Sequence, residues 1–213
     1  MYKLYTLVLL LVINGCSSVT SNEVIKLDSQ SITTVSPKII EEKLEQTPFD
    51  IWERIRLELT LVIPQDQIAA TSIYRERLYK NQSAVNRISK SGQRYLHHTL
   101  TRAEELGLPV ELALLPFVES EFDPYAKSVD GATGIWQFMP ATGKEWGLKT
   151  NWWYDGKKDV LASTEAALQF LTYLNEKFDG DWLLAMAAYN TGPTRVNRAI
   201  RKNKRQDKPT RFW

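Results

Sequence analysis

Cysteine and histidine are almost absent from this chain of 213 residues. A single cysteine, Cys16, excludes an internal disulfide, and two adjacent histidines, His97 and His98, exclude most metal sites. Neighbouring residues leave a helix in different directions, so the histidine pair is read as structural, and neither a metal nor another cofactor is implied. An excess of one charge is missing too: 27 Lys and Arg against 25 Asp and Glu leave a net charge of +2. So weak a field does not point to nucleic acid. The basic cluster Arg201, Lys202, Lys204 and Arg205 has no interleaved aromatics and reads as a solvated end. Between Phe49 and Ile200 no stretch alternates as a strand does, and no segment repeats. What is present is helical spacing, seven tryptophans and an unusual N-terminus.

Lys3 followed by the unbroken apolar run Leu7 to Ile13 has the make-up of a secretory signal, too short to span a bilayer. Gly15 precedes the only cysteine, and the pattern resembles a lipobox, in which cleavage leaves Cys16 lipidated. Residues 1–15 are therefore expected to be a lipoprotein signal peptide, and 16–48 the lipidated cysteine with a flexible linker, with a helical tendency near Ile39 to Leu44. Ser17 and Ser18 after the cysteine, with no Asp, resemble the sorting signal for the periplasmic side of the outer membrane. The competing reading is an ordinary signal peptide that happens to contain a cysteine.

From Phe49 the pattern changes. Phe49, Trp52, Ile55 and Leu59 predict an amphipathic helix stopped by Pro64, within an N-terminal helical extension of residues 49–82. Tyr74 to Asn81 is ambiguous and reads as an extended arm. Val85 to Leu106 predicts one long helix, with Gly107 past its end and Pro109 starting the next. Val110 to Glu119 is apolar enough for a helix buried on several sides, and Asp123-Pro124 turns the chain out of it. Asp159 and Asp181 are placed to cap two further helices, separated by Asp179-Gly180, and Gly192-Pro193 divides the second from a last one. The fold class expected is mostly α.

Glu119 stands at the end of the apolar run. Lost hydration and the negative end of the helix dipole would both favour its protonated form, as a general acid requires. A capping or salt-bridging glutamate is the plainer alternative. Three further segments favour chemistry: Gly134 to Pro140, Ala188 to Gly192, and the aromatic surface of Trp146, Trp152, Trp153 and Tyr154. Aromatic faces stack on sugar rings, and amides such as Gln137 and Asn190 bond hydroxyl and N-acetyl groups.

In that order, the segments resemble a known family. Glu119-Ser120-Glu121-Phe122 resembles the E-S-x-F motif of the soluble-lytic-transglycosylase-like family. Gly134 to Pro140 with Thr142 resembles its G-x-x-Q-x-M-P-x-T motif, and Ala188 to Gly192 its A-Y-N-x-G motif. Leu108 to Pro116, Trp153-Tyr154-Asp155 and Asp181-Trp182 point to the membrane-bound D group within it, and the resemblance covers about Asp50 to Trp213. It implies a lysozyme-like helical domain over residues 83–213, related to goose lysozyme, with peptidoglycan glycan strands as substrate. It also implies non-hydrolytic cleavage of the bond from N-acetylmuramic acid to N-acetylglucosamine, leaving a 1,6-anhydro end.

By the same correspondence Glu119 acts alone as acid and base, although glycosidases generally use two carboxylates, for which Glu121 and Asp123 are nearest in sequence. Ser120, Gln137, Tyr189 and Asn190 position the sugar or tune Glu119, with Tyr189 bonding the carboxyl. Gly134 admits a close backbone approach to ligand, and Met139 and Phe138 wall the groove, with one of them as readily in the core. Relatives continue past the position of Trp213 with a segment that closes the groove, so a catalytic domain incomplete at its C-terminus is expected. Two alternatives stay open: a goose-type hydrolase delivering water, and a lipid-anchored peptidoglycan-binding protein without turnover.

Overall fold

A computed structural model describes residues 50–212. The expected signal peptide, the lipidation site Cys16, the linker and its helical tendency all lie outside the described residues. Within them lie nine α-helices and no strand, only isolated bridges such as Thr133 with Phe138 and Thr150 with Asp155. The helices are α1 (Ile51–Glu58), α2 (Ile68–Lys80), α3 (Gln82–Gly92), α4 (Leu96–Glu105), α5 (Leu115–Ser120), α6 (Pro140–Glu145), α7 (Val160–Lys177), α8 (Trp182–Thr191) and α9 (Pro193–Lys204).

Local chemistry sets most of the boundaries. Asp159 Oδ1 accepts from the backbone N–H groups of Leu161 and Ala162, both at 3.0 Å, and Asp181 Oδ1 from Leu184 at 3.0 Å. Each cap contributes about 1 kcal/mol by satisfying donors the helix leaves open. Helix α4 ends in a Schellman arrangement: Leu108 N–H bonds Ala103 C=O at 2.9 Å and Gly107 N–H bonds Glu104 C=O at 2.8 Å.

Three expectations are corrected. Tyr74 to Asn81 is not an extended arm, since residues through Lys80 belong to α2 and Asn81 caps α3 by accepting from Ala84 N–H at 3.2 Å. The single helix expected from Val85 to Leu106 is two, broken at Gln93 to Tyr95. The reason is packing at Gly92, where an added Cβ would sit 2.7 Å from the Phe117 ring; the chain turns at the point where another element passes. The run from Val110 is also two pieces, a 3₁₀ turn Val110–Leu114 and then α5. Pro116 has no N–H to offer Leu112 C=O, and Leu115 N–H takes that carbonyl with 3₁₀ geometry instead.

The core lies where α4, the 3₁₀ turn, α7 and α8 meet. Leu96, Leu100, Leu112, Leu114, Leu115, Leu168 and Leu171 are fully buried there around Trp136. Burial of each such side chain contributes about 1.5–3 kcal/mol. Leu174, Phe178, Ala185, Ala188 and Val196 pack a second cluster joining α7, α8 and α9. The buried carboxylate of Glu111 ties α1's trailing segment to this body: it accepts from Thr60 N–H at 2.7 Å and Leu61 N–H at 2.6 Å. An Arg54–Glu104 ion pair reinforces the junction.

Candidate active site

Helix α5 presents Glu119 in its last turn, half-buried. The chain then reverses through two residues with left-handed backbone, Glu121 (φ 55°) and Phe122 (φ 59°). Such conformations are strained for side chains of this size and persist only when the surroundings hold them. Phe122 is held by burial against Phe117, ring centroids 4.7 Å apart and edge to face. Glu121 is held by Arg87, which donates from Nε at 3.0 Å and from Nη2 at 3.1 Å. Asp123 Oδ1 accepts from Tyr125 N–H at 2.8 Å within its own turn. The two carboxylates nearest Glu119 in sequence therefore serve the loop that follows α5.

Joined to the end of α5 through Ser120 is the irregular segment from Gly134 to Phe138. Its carbonyls are met by backbone and side-chain donors together: Gln137 N–H bonds Gly134 C=O at 3.1 Å and Thr133 N–H bonds Phe138 C=O at 3.0 Å. Gln137 Nε2 donates to Gly134 C=O at 2.9 Å, Ser120 Oγ to Ile135 C=O at 2.9 Å, and Tyr189 Oη to Trp136 C=O at 2.8 Å. The Trp136 indole, wholly buried, donates to Thr164 Oγ1 at 2.9 Å. Gln137 itself adopts φ 50°, a conformation its own side-chain bonds to Gly134 and Ala126 hold in place.

The structure thus brings Glu119, Ser120, Gln137, Tyr189 and Asn190 into one cluster, but with hydrogen bonds distributed differently from expectation. The expected bond to the carboxyl is made by Asn190, whose Nδ2 donates to Glu119 Oε1 at 3.1 Å, while the Tyr189 hydroxyl turns to the Trp136 carbonyl. Burial first, and then the charge of Glu119, push the Tyr189 phenol well above its ordinary pKa, so it remains a neutral donor. Ser120 positions backbone, and Gly134 makes its close approach to protein: a Cβ there would lie 1.7 Å from the Lys157 carbonyl oxygen. Of the two groove candidates, Phe138 is buried, its ring 6.3 Å from that of Tyr189, and Met139 stands exposed just before α6.

Residues outside the motifs complete the setting. The Tyr189 ring also contacts Phe170 at 5.4 Å, which continues to Trp146 at 5.1 Å. Lys157, buried under Gly143, reaches Asp155 at 2.6 Å. Burial lifts the Asp155 carboxyl, but the bonds from Lys157 and Thr150 outweigh it and leave the group below its ordinary value. Arg102 grips Glu165 across α4 and α7 at 2.7 Å and 3.2 Å. Thr164, Lys157 and Phe170 carry no local pattern that sets them apart; only a contact made far along the chain gives each its role.

Comparison of the sequence with known proteins matches it to a family. The family described as the transglycosylase SLT domain matches residues 89–212. Membrane-bound lytic murein transglycosylase D of Escherichia coli is 42% identical over 164 residues, covering 77% of this chain and 36% of that protein. The chain thus corresponds to about a third of that relative's length. Peptidoglycan transglycosylase gp16 of Escherichia phage T7 is 42% identical over 89 residues, 40% of this chain and 6% of its own. Among solved structures, a lytic transglycosylase Slt from Pseudomonas aeruginosa is similar at 28% identity, covering 49% of this chain and 18% of that one, with a TM-score of 0.41.

Proposed function

The chain belongs to the transglycosylase SLT domain family, and on that premise we propose that it is a lytic transglycosylase of peptidoglycan. It cuts the β-1,4 bond from N-acetylmuramic acid to N-acetylglucosamine and leaves a 1,6-anhydromuramic end. The observation that carries this reading is the Glu119 carboxyl, half-buried and held by the Asn190 amide beside a backbone segment fixed from four sides.

One carboxyl suffices because its two tasks restore each other. Protonated Glu119 gives its proton to the glycosidic oxygen as the C1–O bond breaks and positive charge develops at C1. The carboxylate left behind then takes the proton of the C6 hydroxyl while that oxygen bonds C1. No water enters, and Glu119 ends as it began. The Asn190 amide, bonded to Glu119 Oε1, holds the carboxyl in place through both halves. Glu121, engaged by Arg87, is not required as a partner.

Cys16 is proposed as a lipid attachment point, with residues up to 48 as the tether of a domain facing peptidoglycan from the outer membrane. The lipobox-like pattern supports this, as does the word "membrane-bound" in the name of the Escherichia coli relative. Changing Cys16→Ala is expected to move the protein from membrane to soluble fractions; unchanged partitioning would remove the anchor from this account.

Catalysis is tested by mass spectrometry of peptidoglycan digested with the wild type and with Glu119→Gln. Anhydromuramic products are expected from the first and none from the second, because an amide N–H is too weak an acid to protonate the leaving oxygen. Reducing ends instead would make the protein a hydrolase, and absence of any product would leave a glycan-binding role.

A further inference from the structure

Two of the tryptophans are not part of any core. Trp152 and Trp153 are 94% and 73% exposed, on the loop between α6 and α7. Their rings touch each other, centroids 6.3 Å apart at 56°. The loop that carries them is held rigidly. Asn151 Oδ1 accepts from Trp153 N–H at 3.0 Å and Tyr154 N–H at 2.8 Å, and Asn151 N–H closes the turn on Tyr154 C=O at 2.8 Å. Below it, Gly156 N–H bonds Lys149 C=O at 2.8 Å, Lys157 pairs with Asp155, and the Tyr154 hydroxyl donates to Asp159 at 3.0 Å. None of these bonds uses an indole. The loop is therefore ordered by its polar residues while its two largest apolar side chains remain in solvent, an arrangement that marks a binding surface.

We propose that Trp152 and Trp153 form a glycan-binding platform outside the cleavage point, taking sugar rings of the peptidoglycan strand against their indole faces. This rests on the transglycosylase reading above. Three observations choose the strand as occupant. The base of the loop abuts the site: the Lys157 carbonyl fills the space beside Gly134, whose own carbonyl is bonded by Gln137. A polymer lying at Glu119 extends beyond the site, and this loop is anchored on the segment that carries Gln137. Charge also matches: Lys149 and Lys158, at the two feet of the loop, are exposed with no side-chain ion pair among the described residues, while Asp155 and Asp159 are occupied by Lys157, Tyr154 and the α7 cap. The peptide stems of the strand carry carboxylates. A lipid surface fits less well, since the exposed residues that lead into the indoles, Lys149, Thr150 and Asn151, are all polar.

The test is co-sedimentation with insoluble peptidoglycan, using the Glu119→Gln chain so that the ligand survives. Adding Trp152→Ala with Trp153→Ala is expected to weaken binding about tenfold, and Phe at both positions to restore most of it. Circular dichroism should not change, because neither indole supports the fold. Equal binding by the Glu119→Gln chain with and without the two alanines would overturn the proposal. So would a loss confined to vesicles of anionic phospholipid, which would assign the platform to a membrane. If the wild type releases no glycan fragments and the Glu119→Gln chain fails to sediment at all, the transglycosylase reading falls and this inference with it. Cleavage by the wild type with no effect of the alanines removes the platform alone.

Discussion

Helix α2 and the segment Gly134 to Phe138 are opposites. Helix α2 is regular for 13 residues, yet Thr71 is its one fully buried residue among those described. The segment after Ala132 has no regular structure, yet Ile135, Trp136 and Phe138 are buried and three successive carbonyls are each bonded by a side chain. A helix satisfies its own backbone and asks little of its neighbours. An irregular buried segment does so only in part, and side chains such as Ser120 and Tyr189 supply the donors its own backbone lacks. The comparison explains why the site motifs hold so many polar residues. Several of them fix backbone, and the fixed Trp136 carbonyl takes the Tyr189 hydroxyl while the neighbouring Asn190 bonds Glu119.

The contrast can be broken by substitution. The largest effect is expected at Gly134→Ala, which combines a backbone at φ 83° with a Cβ 1.7 Å from the Lys157 carbonyl oxygen. Stability should fall by more than about 3 kcal/mol, read as a lower denaturant midpoint; a shift within error would mean the segment is free to move. Next is Tyr189→Phe, which strands the Trp136 carbonyl without its 2.8 Å donor. A loss of about 1–2 kcal/mol is expected in the same experiment, together with slower release of anhydromuramic products. Full stability with slowed turnover would instead assign the hydroxyl to substrate. The smallest effect is expected on α2, where Tyr79 is 65% exposed. Tyr79→Ser should cost less than about 0.5 kcal/mol, and a larger loss would show that α2 depends on packing after all.

Much of the framework was legible. Asp159 and Asp181 cap helices as their positions suggested, and Gly107 closes α4, because caps depend on residues a few places apart. The break between α3 and α4 was not legible, because it depends on Phe117 passing Gly92. The role of Glu111 was not legible either, since its partners Thr60 and Leu61 lie about 50 residues earlier. Nor was the role of Trp136, a wholly buried anchor whose partner Thr164 lies 28 residues further on.

The order of chemical groups, the helix ends and the family pattern around Glu119 are properties of the sequence alone, because each is written in neighbouring residues. Which group answers which was decided by the tertiary structure. Tyr189 reaches Trp136 across 53 positions and Asn190 reaches Glu119 across 71, and adjacent residues on one helix end therefore serve different partners. A side chain's role depends on the nearest unsatisfied group in space, and that neighbour exists only once the helices have packed.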